Sequence, residues 1–328
     1  MLMTAAMDFG VMVPQGWRLD LMGVDGAKAK WETCKRVSRL LDESGWGSLW
    51  VYDHFHTFPR KKVEATFEAW MMMATLAEIT DRALIGQMVT CAQYREPAYL
   101  AKVAACVDVA SGGRLQLGLG SGWFEEEFGA YGYDFRSKRE RLARLEEYLA
   151  VIDALWSQDA AEFEGSHYRL HEAVCEPKPL QRPRPPIWIG GRGPKVLLRL
   201  VAQYADVWNY NGPLDEFTDT IEILKEHCKA VGRDFDEIRV TAMSGGIVYD
   251  SPDELDGFFE RIEPQRFKRD KFLEAATCKG SREQCADYLR AWKDAGCDGM
   301  IFFFQDIATA GDGGSQAERF WADVLPAV

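Results

Sequence analysis

The chain has 328 residues, 47% of them hydrophobic, and a formal net charge of -12 at pH 7. That acidity excludes a nucleic-acid binder, which needs a basic face to neutralise phosphates, though a few local donors can still hold a small anionic ligand. No apolar run reaches the roughly 18 residues of a membrane helix, and the first residues lack a basic segment leading into one, so a protein with no signal peptide, in the cytoplasm, is expected.

Residues 7–14 (MDFGVMVP) read as a short strand stopped by Pro14. Trp31, Cys34, Val37 and Leu41 then recur at helical spacing up to Gly45 and Gly47. Residues 48–52 form a second strand ending in Asp53-His54, and 54–64 a loop. A helix at 65–80 and a strand at 83–90 follow. Glu96-Pro97 opens a third helix. The turn Ser111-Gly112-Gly113 leads into Arg114–Gly120, whose Leu115, Leu117 and Leu119 alternate as in a strand. The glycines opposite them leave room for a ring system close to the backbone.

Residues 137–157 keep helical spacing for nearly six turns. The segment 158–186 breaks the rhythm and reads as a proline-rich surface excursion. Strands are expected at 186–189, 206–209, 237–243 and 299–304, and helices at 194–204, 215–231, 281–295 and about 314–324. A second excursion spans about 250–275. Eight strands alternating with helices predict a parallel sheet closed into a (β/α)8 barrel, one domain over residues 1–328. An open doubly wound sheet is the alternative. It lacks support because no GxGxxG follows the first strand.

Active sites of such barrels sit at the C-terminal strand ends. Asp53-His54 lies there, and a histidine so placed can take or give a proton near neutral pH. His56 and Phe58 share its loop. The bland alternative is a capping aspartate beside a loop histidine. Gly190-Gly191-Arg192-Gly193 follows a strand and precedes a helix, so its backbone N–H groups can cradle an anion, with Arg192 and Lys195 adding charge. A plain glycine-rich turn is the competing reading. Glu125, Glu126 and Glu127 read, taken singly, as the solvated start of a short helix. The basic run Arg136–Arg144 reads as a solvated face. His167, His171 and His227 fall on an excursion and a helix face, away from the chemistry. Eight cysteines without a CxxC pair read as buried small hydrophobes, and no metal site is expected.

Several segments together resemble the luciferase-like monooxygenase superfamily, and within it the branch that uses the deazaflavin coenzyme F420. They are WVYDHF (50–55), IGQMVTCAQYREP (85–97), SGGRLQLGLGSGWFEEEFGAYGY (111–133), KPLQRPRPPIWIGG (178–191) and ADVWN (205–209). The resemblance implies a TIM-like barrel with insertions, assembled as a homodimer. It implies that Asp53 and His54 are the cofactor-side pair, with His54 as acid/base. It places a non-proline cis peptide at Met88-Val89 behind the ring, the cofactor phosphate on Gly191, Arg192 and Gly193, and Glu126 near the cofactor. Relatives that oxidise sugar phosphates carry a glutamate where this chain has Trp123 and a tryptophan where it has Phe58. A less polar substrate pocket lined by Phe58, Trp123 and Trp208 is therefore expected. The function this implies is hydride transfer between F420 and a small organic substrate. The alternatives are a monooxygenase using reduced FMN and oxygen, and a non-catalytic binder of a flavin or other anion.

Overall fold

A computed structural model describes residues 7–262 and 268–328. Its centre is a ring of eight parallel strands: β1 (Asp8–Met12), β2 (Ser48–Val51), β3 (Leu84–Gln87), β4 (Leu115–Gly120), β5 (Ile187–Gly190), β6 (Val207–Tyr210), β7 (Arg239–Val248) and β8 (Gly299–Phe303). Each pairs with its neighbour in sequence: Val11 with Leu49, Leu49 with Ile85, Ile85 with Leu115, Leu117 with Ile187, and Ile189 with Trp208. Val240 pairs with Trp208 and Ala242 with Met300, and Met300 paired with Phe9 closes the barrel. Helices between the strands cover the outside, so alternate strand residues face an outer core and a barrel interior.

Large aromatics fill the interior. Trp50 and Trp188 meet edge to face at 4.5 Å, with Met12, Tyr52, Val207 and Ile301 around them. Neighbouring strands make room for Trp50: a Cβ at Gly86 would sit 2.4 Å from its ring. The Trp188 indole N–H donates to Gln116 Oε1 and that of Trp50 to Ser48 Oγ, each at 2.8 Å, which satisfies both indoles in a largely apolar plug. This plug closes the barrel beneath its C-terminal mouth.

The elements differ from the sequence expectations in several places. The second helix begins at Ala69, after Glu68 has capped it by accepting from Met71 N–H at 2.7 Å. The 158–186 excursion contains an antiparallel hairpin, Ala161–Glu164 with Arg169–Ala173. Strand β7 runs on to Val248. Gly245 and Gly246 look like a turn, but they lie where a Cβ would meet Phe303 at 2.8 Å and Phe304 at 2.5 Å, so they serve aromatic packing inside a strand. The 250–275 excursion holds helices Pro252–Arg261 and Arg269–Ala275, and residues 263–267 within it lie outside the described residues. No helix among the described residues is long and apolar enough to cross a membrane.

Candidate active site

A cavity of about 370 Å³ opens at the C-terminal mouth of the barrel. Its walls include Trp17 and Arg18 after β1, Asp53 and His54 after β2, Met88 and Val89 after β3, Trp123 after β4, and Gly191 after β5. That volume lies in the range of small-molecule sites.

His54 is held on both ring edges and on one face. Its Nδ1 lies 2.7 Å from Glu127 Oε2, and its ring stacks on Trp17 with centroids 4.3 Å apart and an interplanar angle of 4°. Trp123 and Phe124 approach edge-on at 5.9 Å. A carboxylate accepts and cannot donate, so Nδ1 carries the proton and Nε2 is the nitrogen left for a ligand.

Glu127 is the residue that local sequence hides. It lies in the first turn of the short helix Glu125–Ala130 and is completely buried, whereas Glu125 and Glu126 are exposed. Besides His54 it accepts from Phe55 N–H at 2.6 Å, His56 N–H at 3.2 Å and Tyr94 Oη at 2.8 Å. Burial pushes its carboxyl up, but the bond from His54, the His54 charge and the donors of Phe55 and Tyr94 outweigh this and hold it below the usual carboxylate range. The reading of all three acids as solvated thus fails for Glu127. The only sequence signal is the neighbouring Phe128, which marks the turn as having a buried side.

Asp53 stands at the same cavity, but its oxygens are already engaged. Arg95 grips it with two bonds of 2.7 and 2.9 Å, and Cys91 N–H donates at 2.8 Å. It therefore fixes the β2 and β3 loops against each other. Glu126 is exposed and does not line the cavity.

The Met88-Val89 peptide is cis. It bulges over β4, where the glycines find their purpose. A Cβ at Gly118 would sit 1.8 Å from Gln87 O, and one at Gly120 would sit 2.6 Å from Val89 Cγ2. The glycines make room for the bulge, and the cavity wall is shared between Met88 and Val89 of the bulge and Gly120 at the end of the strand. Gly118 is thus covered by the bulge, whereas Gly120 lines the cavity directly.

At the β5 turn, Gly191 has φ +125 and spends its N–H on Asn209 O at 2.9 Å. The N–H groups of Arg192 and Gly193 find no acceptor among the described residues, whereas that of Gly191, expected to join them, is already spent. Arg192 pairs with Glu216. The following helix starts at Leu197, after a turn, and not at Pro194.

The expected aromatic pocket divides three ways. Trp123 lines the cavity and is 58% exposed, free to meet a ligand. Phe58 stands behind it, 5.8 Å from the Trp123 ring and 5.3 Å from Trp17, outside the cavity wall. Trp208 points outward into the core between barrel and helices, stacks on Phe217 at 6.2 Å, and donates to Gly191 O at 2.7 Å. It is no pocket residue. Trp17, which sequence reasoning missed, takes the place expected of it. Trp17 lies in a loop, where no periodicity flags an aromatic. His167, His171 and His227 do not line the cavity.

Comparison with known proteins follows the same geometry. The family model described as luciferase-like monooxygenase matches residues 7–262. A phthiodiolone/phenolphthiodiolone dimycocerosates ketoreductase of Mycobacterium tuberculosis is 30% identical over 242 residues, covering 66% of this chain and 61% of that protein. The chain thus spans less than two thirds of that relative. Among solved structures, an F420-dependent secondary alcohol dehydrogenase in complex with an F420-acetone adduct has a TM-score of 0.80 at 20% identity, over 98% of this chain and 99% of the other. EDTA monooxygenase from Chelativorans sp. BNC1 has a TM-score of 0.77 at 16% identity, over 98% and 93%. At these identities the structural likeness shows the fold.

Proposed function

The chain belongs to the luciferase-like monooxygenase family, and on that premise we propose that it is an F420-dependent oxidoreductase that interconverts a small alcohol and its carbonyl compound. The observation that carries this reading is the His54–Glu127 pair at the barrel mouth, with Nδ1 committed to a buried carboxylate and Nε2 left to the cavity. The names of the ketoreductase and of the secondary alcohol dehydrogenase support the substrate class.

The residues present fit such a cofactor. The Met88-Val89 bulge offers an apolar back wall, and the unpartnered N–H groups of Arg192 and Gly193 suit a phosphate. When bound, the deazaflavin supplies the carbon that gives or takes the hydride. His54 Nε2 takes the hydroxyl proton as the alcohol is oxidised and returns it in the reverse direction. Glu127 keeps the proton on Nδ1 and stabilises the imidazolium that forms. Trp17 against the ring face and Trp123 and Phe124 against its edges fix the imidazole so that Nε2 points to the bound substrate.

Titrating the purified protein with F420, FMN and FAD tests the cofactor. F420 is expected to bind most tightly. FMN binding with oxygen consumption would establish the monooxygenase alternative, which the likeness to EDTA monooxygenase keeps in play. His54→Ala is expected to lower turnover by about 10²- to 10⁴-fold, the usual worth of a general acid/base, with the fold retained at a lower melting temperature because buried Glu127 loses its Nδ1–H donor. Unaltered turnover removes His54 from the chemistry.

A further inference from the structure

Arg18 lines the same cavity and has no task in the scheme above. Among the described residues no carboxylate stands within ion-pair distance of its guanidinium, while Arg95 nearby is tied to both Asp53 and Glu68. Its contacts are aromatic. The guanidinium carbon lies 4.1 Å from the Phe303 ring centroid and 5.9 Å from that of Trp17. Its Nε is buried without an acceptor. Asp20, two residues away, feels the guanidinium's charge but makes no ion pair with it, its oxygens being taken by the backbone N–H groups of Gln15 at 2.7 Å, Gly16 at 3.2 Å and Arg18 itself at 3.1 Å. Tyr52 adjoins the guanidinium and feels its charge, but a phenol does not neutralise it.

The segment is also held rigidly. Gln305 Nε2 donates to Arg18 O at 2.6 Å, and Leu19, buried and β-carbon-bearing, adopts φ 62. L side chains rarely take that conformation, and it persists where the surroundings enforce it. A half-buried guanidinium with no carboxylate hydrogen-bonded to it and a buried Nε without an acceptor, carried by a constrained loop at the cavity wall, has donors left for an incoming anion.

We infer that Arg18 is a specificity-determining residue that seats a carboxylate of the substrate, making the substrate a hydroxy acid or its keto acid. This inference rests on the reading of the cavity as an alcohol/carbonyl site. The guanidinium fork matches a planar carboxylate with two parallel N–H···O bonds, and the aromatic wall of Trp17 and Trp123 suits the organic remainder. Arg18 touches neither Glu127 nor His54 in this role, so it sets which substrate binds and leaves proton transfer to His54.

The test uses the full chain and simple probes, read by tryptophan fluorescence and calorimetry. Benzoate is expected to bind at least about ten-fold tighter than benzamide, the worth of one charge-assisted hydrogen bond. Arg18→Met, which keeps the packing on Phe303, is expected to erase that preference with an unchanged melting curve, and Arg18→Lys to restore part of it. Equal affinities in the wild type, or a preference that survives in Arg18→Met, overturns the assignment. Tighter binding of phenyl phosphate than of benzoate overturns the carboxylate in favour of a phosphate. The F420 and FMN affinities of Arg18→Met are expected to match the wild type; their loss with the benzoate preference intact would assign Arg18 to the cofactor and overturn the inference. An Arg18-dependent benzoate preference in a protein that binds neither cofactor supports this inference while refuting the cofactor reading.

Discussion

Replacing Glu127 by Gln changes one atom and tests the whole proton-handling scheme. Oε1 receives Phe55 and His56 N–H, and Oε2 receives His54 Nδ1 and Tyr94 Oη. A glutamine has one acceptor oxygen. The backbone donors cannot turn, so the oxygen stays with Phe55 and His56, and the amide NH₂ faces His54 and Tyr94. Nδ1 must then accept, which moves the imidazole proton to Nε2. The Tyr94 hydroxyl must turn its lone pair inward and leave its own proton unbonded. Exchanging charge-assisted bonds for neutral ones at these positions costs about 2–3 kcal/mol in all. The assay is ¹⁵N NMR of the imidazole nitrogens together with a denaturant melt. The expected result is an inverted tautomer, a destabilised fold, and turnover lowered by about 10²-fold or more because Nε2 no longer accepts. An unchanged tautomer would refute the assignment of the Nδ1 proton, and turnover within a few-fold of wild type would refute the role of the pair.

Other positions give independent checks. Burial pushes the Asp306 carboxyl up to about 6 from 3.8, against bonds from Gln316 N–H. The folded state therefore favours the protonated form: the penalty is absent below about pH 3.8 and complete above about pH 6, worth roughly 3 kcal/mol. Asp306→Asn should gain stability over wild type at pH 7 and not at pH 3.5, so an equal difference at both pH values in denaturant melts counts against it. Gly118→Ala should cost about 3 kcal/mol or prevent folding, because its Cβ meets Gln87 O at 1.8 Å, whereas Gly129→Ala, with nothing within 4 Å, should be neutral or stabilising by up to about 1 kcal/mol. Comparable melting temperatures for the two would show that the bulge does not press on β4. Arg95→Met leaves Asp53 buried without its partner and should cost about 3–5 kcal/mol by thermal or denaturant melting, while a loss below 1 kcal/mol would mean that the pair is not structural.

Much of the architecture is legible along the chain. The alternation of short apolar strands with helical spacing demands a parallel sheet covered on both faces, and eight repeats close it. The position of His54 follows from that order, because the C-terminal end of β2 can open only onto the barrel mouth. The Gly191 turn follows from its glycine-rich motif, and Met88 and Val89 from the family resemblance alone.

What stayed hidden was every choice between chemically equal neighbours. Apart from the neighbouring Phe128, nothing local separates Glu127 from Glu125 and Glu126. The choice is made by donors from Phe55, His56 and Tyr94, more than thirty residues away in sequence. Trp188 and Trp208 sit on strands buried on both faces, so polarity does not report direction; the register pairing Ile189 with Trp208 sends Trp188 into the barrel and Trp208 out of it. Trp17 and Arg18 lie in a loop that has no period at all. The sequence by itself determined the barrel and the end of it at which the cavity opens, because periodicity and chain order are local properties. Only the tertiary structure decided which acid is buried, which aromatic faces a ligand and which cation lacks a partner, because burial and charge neutralisation depend on what the rest of the chain brings alongside.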